Sequence, residues 1–186
     1  MSSNHAPAVL TRATDRLIEE LIGAVHGDSV WVERLTRLQS ADNSPCSLHL
    51  AVFVEPYLKY VLQGAKTIES RFSLRRCAPH GRVRPDDLLL LKRSGGAIIG
   101  LCTVSNVWLY HLDPASWQFI RREFTQALCA QDPAFWQQRE RANFATLLRV
   151  ENVRPIAPLS FPKRDRRGWV VLRHGAPTSA MEAQGR

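Results

Sequence analysis

Lys66, Glu69 and Arg71 place an ammonium, a carboxylate and a guanidinium within one short run, Gly64-Ala65-Lys66-Thr67-Ile68-Glu69-Ser70-Arg71-Phe72. Such a trio can do one of two kinds of work. A lysine beside a carboxylate can serve as an acid/base pair on RNA, whose cleavage needs little beyond a positioned base, an acid and a cation for the phosphate. Alternatively, the cations hold phosphates while Glu69 accepts a hydrogen bond from a base edge or a ribose hydroxyl. The plainest alternative has Lys66 complementing a helix C-terminus and Glu69 paired with Arg71 as an ordinary surface ion pair.

What positions the trio is a helix followed by a strand. Tyr57, Leu58, Val61 and Leu62 recur at helical spacing after Pro56, which suits a first helical turn, and Gly64 suits the left-handed residue just past the end. Beyond the turn, Ile68, Ser70 and Phe72 alternate with Glu69, Arg71 and Ser73. A strand here puts Glu69 and Arg71 on one face, with Lys66 at the corner turned toward the same spot.

Downstream lies a basic loop from Leu74 to Pro85, with Arg75, Arg76, Arg82 and Arg84 expected to rim the opening and His80 able to join them. Leu88–Lys92 and Ala97–Tyr110 read as strands joined by a Ser94-Gly95-Gly96 hairpin, with Lys92 and Arg93 at its mouth. No Gly-Lys-Ser/Thr follows those glycines, so a phosphate-loop reading fails. Asp113-Pro114 and Asp132-Pro133 each open a helix, their aromatics at core spacing. Phe144–Ile156 reads as a strand, with Pro155 and Pro158 marking its exit. A basic turn, Phe161-Pro162-Lys163-Arg164-Asp165-Arg166-Arg167-Gly168, then leads into a last strand, Trp169–Leu172. Trp108, Tyr110 and Trp169 are core candidates that could instead stack on a base.

The formal charge of +8 is unevenly spread. Residues 1–45 carry four arginines against six acids, residues 66–93 eight basic residues against three acids, and residues 161–173 five against one. Two basic segments distant in sequence can therefore meet as one footprint for phosphates. Cys46, Cys77, Cys102 and Cys129 show neither metal-ligand spacing nor a disulfide framework, so thiols are expected and no metal or cofactor is implied. There is no G-x-S-x-G elbow and no H-E-x-x-H. No apolar run is long enough to span a bilayer, and the N-terminus lacks a basic region followed by an apolar one, so a cytoplasmic location is expected by default.

The run from Leu48 to Tyr110, with Gly64-x-Lys66-Thr67-x-Glu69-x-Arg71, Asp86-Asp87-Leu88-Leu89-Leu90-Leu91-Lys92 and Ser94-Gly95-Gly96, resembles an ASCH domain, and Phe161-Pro162-Lys163-Arg164-Asp165 with Trp169 resembles that family's closing strand. ASCH domains are similar to PUA domains. The resemblance implies an α+β fold, a PUA-like small β-barrel flanked by helices, with a cleft for RNA or a nucleotide-like small molecule. The binding set it suggests is Lys66, Thr67, Glu69, Arg71, Arg75, Arg76, Lys92, Lys163 and Arg164, with Lys66 and Glu69 as the catalytic pair if the protein is an enzyme. Some small ASCH proteins are amidohydrolases acting on N4-acetylcytidine. They keep the lysine matching Lys66 but carry a threonine nucleophile where this chain has Glu69, and Thr67 is the nearest hydroxyl.

The expected organisation is a flexible tail over 1–10, an N-terminal helical hairpin over 11–42, the ASCH/PUA-like domain over 46–173 and a disordered tail over 174–186. In the hairpin, Leu17, Ile18, Leu21, Ile22 and Val25 form one apolar stripe, and Val30, Trp31, Val32, Leu35 and Leu38 form another behind a Ser29 cap. Its net acidic charge disfavours nucleic acid, leaving packing on the barrel, self-association or partner association as its role. Ser40 to Pro45 is the linker candidate.

Overall fold

Four consecutive leucines, Leu88 to Leu91, leave no position for solvent, and they form the heart of β3 (Leu88–Arg93), covered on both faces. The computed structural model describes residues 5–39, 44–162 and 166–176, with side chains from Arg12 onward. β3 pairs in parallel with β1 (Leu48–Phe53) and antiparallel with β4 (Ile98–His111), the latter through the Ser94–Gly96 hairpin, where Gly95 takes a φ of 68°. β4 pairs with β5 (Phe144–Leu159), β5 with β2 (Ile68–Ser73), and β6 (Trp169–Arg173) adds to the free side of β1. The result is one six-stranded sheet in the order β2-β5-β4-β3-β1-β6.

The sheet curls into a half-barrel. Ala51 of β1, Leu148 of β5 and Trp169 of β6 share one apolar cluster, although three strands lie between β5 and β6. Period-two alternation divides the strands between two cores. Leu89 and Leu91 join that inner cluster with Phe53, Cys102 and Leu58, while Leu88 and Leu90 join Leu48, Leu50, Leu101 and Leu172 on the opposite face.

That opposite face is covered by α1 (His5–Ala24) and α2 (Ser29–Gln39). Leu17, Ile18, Leu21, Val25, Trp31, Leu35 and Leu38 are all buried there. At roughly 2 kcal/mol each, these seven side chains rival the whole net stability of a domain. The hairpin thus shares the core of the sheet, and its apolar stripe faces inward. Arg173, at the end of β6, fastens both helices by donating to the Leu38 carbonyl and to the Asp15 carboxylate.

Several boundaries differ from expectation. α1 begins at His5, so most of the expected tail lies within its first turns. Asp28, rather than Ser29, caps α2, its carboxylate accepting from the Trp31 backbone N–H at 3.3 Å. Pro155 and Pro158 lie inside β5, with Pro155 opposite Gly100 of β4. Proline is tolerated there because this half of β5 has no strand on its other side. Residues 174–176, expected to begin a loose tail, are tied down: the Gly175 and Ala176 N–H groups donate to Ser47 Oγ and to the Ser44 carbonyl. Residues 40–43 of the expected linker and 177–186 of the expected tail lie outside the described residues.

Three short helices complete the frame. α3 (Tyr57–Leu62) packs into the inner cluster, and α4 (Pro114–Phe124) and α5 (Pro133–Gln137) pack with Ile68, Phe72 and Leu147 in a third, aromatic-rich cluster. Asp113 and Asp132 accept from Ser116 N–H and Ala134 N–H, capping α4 and α5. Among the described residues, no helix is long and apolar enough to cross a membrane.

Candidate functional site

Gly64, with a φ of 74°, ends α3 and turns the chain so that Lys66 enters the third cluster and β2 begins at Ile68. Lys66 is 2% exposed. Its ammonium donates to the carbonyls of Ile68 at 2.6 Å and Leu128 at 3.2 Å and lies 3.5 Å from Glu69 Oε2, so its three protons face three acceptors. Burial lowers its pKa and Glu69 opposes the shift.

Glu69, 5% exposed, lies between the two cations, with Oε1 2.8 Å from Arg71 Nε. That N–H is not aimed at the oxygen. Arg71 Nε is in contact with its counter-charge but has no hydrogen-bond partner of its own. The other end of the guanidinium reaches two carbonyls: Nη2 donates to that of Val52 at 2.9 Å and Nη1 to that of Gly168 at 3.2 Å. Its central carbon lies over both the Phe53 and the Trp169 rings, 5.2 Å from each centroid.

Behind Trp169 the polar chain continues. The indole N–H donates to His49 Nδ1 at 3.1 Å, and His49 Nε2 lies 3.0 Å from Asp87 Oδ2. An indole nitrogen can only donate, so Nδ1 must be the acceptor and Nε2 must carry the proton toward Asp87. Asp87 also accepts from the Ser47 and Arg84 N–H groups. His49 is fully buried and belongs to the scaffold behind the Arg71 stack.

In front of the trio opens a cleft of about 490 Å³. Lys66, Glu69 and Arg71 line it together with Tyr57, Phe72, Phe135, Arg139 and Arg166. Arg139 lies 3.8 Å over the Phe135 ring and donates to the Phe135 carbonyl at 2.6 Å. Burial lowers its pKa, Tyr57 and Glu69 working against the shift. The Tyr57 hydroxyl is shifted up by burial, with Arg139 opposing.

The structure brings together Lys66, Glu69 and Arg71 from the expected set. Lys92 lies in the neighbouring hollow, which shares Val52, Ser94, Arg166 and Gly168 with the cleft, and it donates to the Gly96 carbonyl. Thr67 is exposed and does not line the cleft; its backbone donates to Ala127 and accepts from Val150. Arg75 and Arg76 are exposed after the end of β2. Arg76 reaches the Phe144 ring in a separate recess with His80 and Arg82, so the loop does not rim the cleft as expected. Lys163 and Arg164 lie outside the described residues. Trp169 is buried beneath Arg71, Trp108 packs against Phe124, and Tyr110 lines the separate recess. Sequence reasoning missed Arg139 and Arg166 as cleft residues and took Tyr57 and Phe135 for core. A cation just past a short Asp-Pro-capped helix was the available signal for Arg139.

Among the described residues, no group of three or more His, Cys, Asp or Glu side chains could hold a metal ion, and all four cysteines are free thiols. Burial raises the Cys102 thiol pKa, with Glu69 nearby adding to the shift.

This curled sheet with its flanking helices defines an ASCH-like fold. The crystal structure of ASCH from Zymomonas mobilis superposes with a TM-score of 0.55 at 13% identity, over 68% of this chain and 88% of that one. Two single-substitution variants of the same Zymomonas mobilis protein give TM-scores of 0.54 and 0.55 at 12% and 11% identity, over 68% and 69% of this chain and 91% and 90% of theirs. At such identities the likeness concerns the fold alone. No protein-family model matches the chain. No curated protein matches it either.

Proposed function

We propose that the cleft binds a nucleotide-like ligand, free or as part of an RNA. The observation carrying this reading is the Glu69 carboxylate, clamped between Lys66 and Arg71 at the base of a cleft walled by Tyr57, Phe72 and Phe135. A flat heterocycle fits between aromatic walls, and a fixed carboxylate accepts from its N–H edge or from a ribose hydroxyl. Arg139 and Arg166 line the opening beside buried Lys66 and half-buried Arg71, which supports a phosphate there.

The geometry favours binding over hydrolysis. All three protons of Lys66 are committed to internal acceptors, which makes it a positioning group for Glu69, and Thr67 has its hydroxyl outside the cleft. Titration of the full chain with cytidine and uridine 5′-monophosphate at low salt tests the reading. Saturable binding, weakened at least tenfold by Arg139→Ala and by Glu69→Gln, is the expected result. No saturable binding, or binding indifferent to both variants, would remove it.

A further inference from the structure

The loop between β2 and β3 forms a hollow of its own. Arg76, His80 and Arg82 meet Tyr110 and His111 at the end of β4 and Phe144 at the start of β5, around a recess of about 660 Å³. Three cation-capable groups surround one ring: Arg76 lies 5.5 Å from the Phe144 centroid, His80 5.3 Å and His111 5.2 Å. Among the described residues, no carboxylate lines this recess. Burial lowers the His80 pKa and the neighbouring Arg76 adds to the shift, so the fixed charge of the recess comes from Arg76 and Arg82.

Another hollow lies between the recess and the cleft. It shares Cys77, Ala78 and Arg82 with the recess and Gly168 with the cleft, and among the described residues no acid lines it, while Arg82 and His174 stand along it. A run of cationic side chains with aromatic side chains lining each end suits a chain of phosphodiesters whose bases are unstacked. A duplex keeps its bases stacked and offers no face to a recessed ring.

We propose that the Phe144 recess is a second nucleotide-binding site, and that a single strand entering the cleft runs past Gly168 and Arg82 to reach it. This rests on the cleft reading, because the strand is oriented by the nucleotide held at Glu69. The chemistry named is a phosphodiester with an unpaired base beside it, and RNA and DNA octamers separate its two sources.

The test uses the full chain with a labelled oligouridylate octamer, the matching deoxyoctamer, a blunt RNA duplex and uridine 5′-monophosphate. The octamer should bind at least tenfold tighter than the mononucleotide. Arg76→Gln combined with Arg82→Gln should remove most of that gain and flatten the log–log salt dependence by about 1.4, two contacts at roughly 0.7 each, while leaving mononucleotide binding unchanged. Cys77 is exposed and lines both the recess and the connecting hollow. Its reaction with a thiol reagent should therefore slow when the octamer is bound and not when the mononucleotide is.

An octamer no tighter than the mononucleotide, or one whose affinity and Cys77 protection ignore both arginines, would overturn the second site and leave the cleft standing. Octamer binding that depends on Arg76 and Arg82 but not on Glu69 or Arg139 would overturn the shared path, while the cleft reading falls only if the mononucleotide also fails to bind or ignores those two residues. Equal binding of the duplex, weakened equally by the double variant, would sink the single-strand assignment.

Discussion

Arg71 and Gly168 meet across the open side of the half-barrel. The Gly168 carbonyl accepts from the Val52 backbone N–H at 2.9 Å and from Arg71 Nη1 at 3.2 Å. Arg71 stands on β2 and Gly168 leads into β6, the two edges of the sheet. A guanidinium therefore spans the seam that a closed barrel would fill with a strand pair, and the same guanidinium helps form the cleft.

Replacing Arg71 by lysine should open that seam. A lysine cannot donate as a planar fork to two carbonyls while stacked between two rings. Arg71→Lys should lower unfolding free energy by about 2 kcal/mol, combining one lost charge-assisted hydrogen bond with lost stacking. The denaturant midpoint measures it, and an unchanged midpoint would show that the seam contributes nothing.

Glu69→Gln removes the group that opposes the effect of burial on Lys66. Breaking one side of a buried ion pair costs about 3–5 kcal/mol, and a loss near the lower figure is expected because Arg71 is partly exposed. The pH dependence follows from linkage. The folded-state pKa of Lys66 is depressed, so between that value and the ordinary lysine value the unfolded chain binds more protons, and this group's contribution to stability rises with pH. In the variant the folded pKa falls further, and the rise should begin at lower pH. Unfolding curves across the alkaline range would reveal the displacement, and superimposable pH profiles would refute it.

Gly100→Ala should destabilise the junction of α3, β4 and β5. A Cβ there would lie 2.8 Å from Leu62 Cδ2, 3.2 Å from the Arg154 carbonyl oxygen and 3.3 Å from Leu91 Cδ1. The carbonyl belongs to the paired strand and cannot swing away, so a cost of about 1–3 kcal/mol is expected. Thermal unfolding reports it directly, whereas Gly23→Ala, with open space around it, should show no comparable clash penalty.

Trp169→Phe keeps a ring beneath Arg71 but removes the donor to His49 Nδ1. A buried acceptor left without a partner costs about 1–3 kcal/mol. Nitrogen-15 spectra of the wild-type imidazole should show the proton on Nε2. A proton on Nδ1 would contradict the assigned direction of the chain from Trp169 to Asp87.

Much of the scaffold was legible from residue order. Period-two and helical patterns located all six strands, the first from the apolar run Ser47–Val54, and all five helices, because burial on one face writes itself into sequence at those periods. Gly64 and the Asp-Pro pairs announced their turns and caps through local backbone preference. Boundaries went astray where tertiary context overrode local signals: Pro155 and Pro158 stop a central strand but not an unpaired edge, and Gly175 and Ala176 are held by partners more than a hundred residues away.

By itself the sequence determined that Lys66, Glu69 and Arg71 leave a helix-strand corner within reach of one another, since spacing on a strand sets which side chains share a face. Only the curl of the sheet decided the rest. It carried Arg71 to Val52 and Gly168, brought Arg139 and Arg166 to the cleft from segments far along the chain, and sent Arg76 and His80 to a different hollow. Local periodicity encodes the faces of elements, whereas which distant faces meet depends on the closure of the whole sheet, and no single segment carries that information.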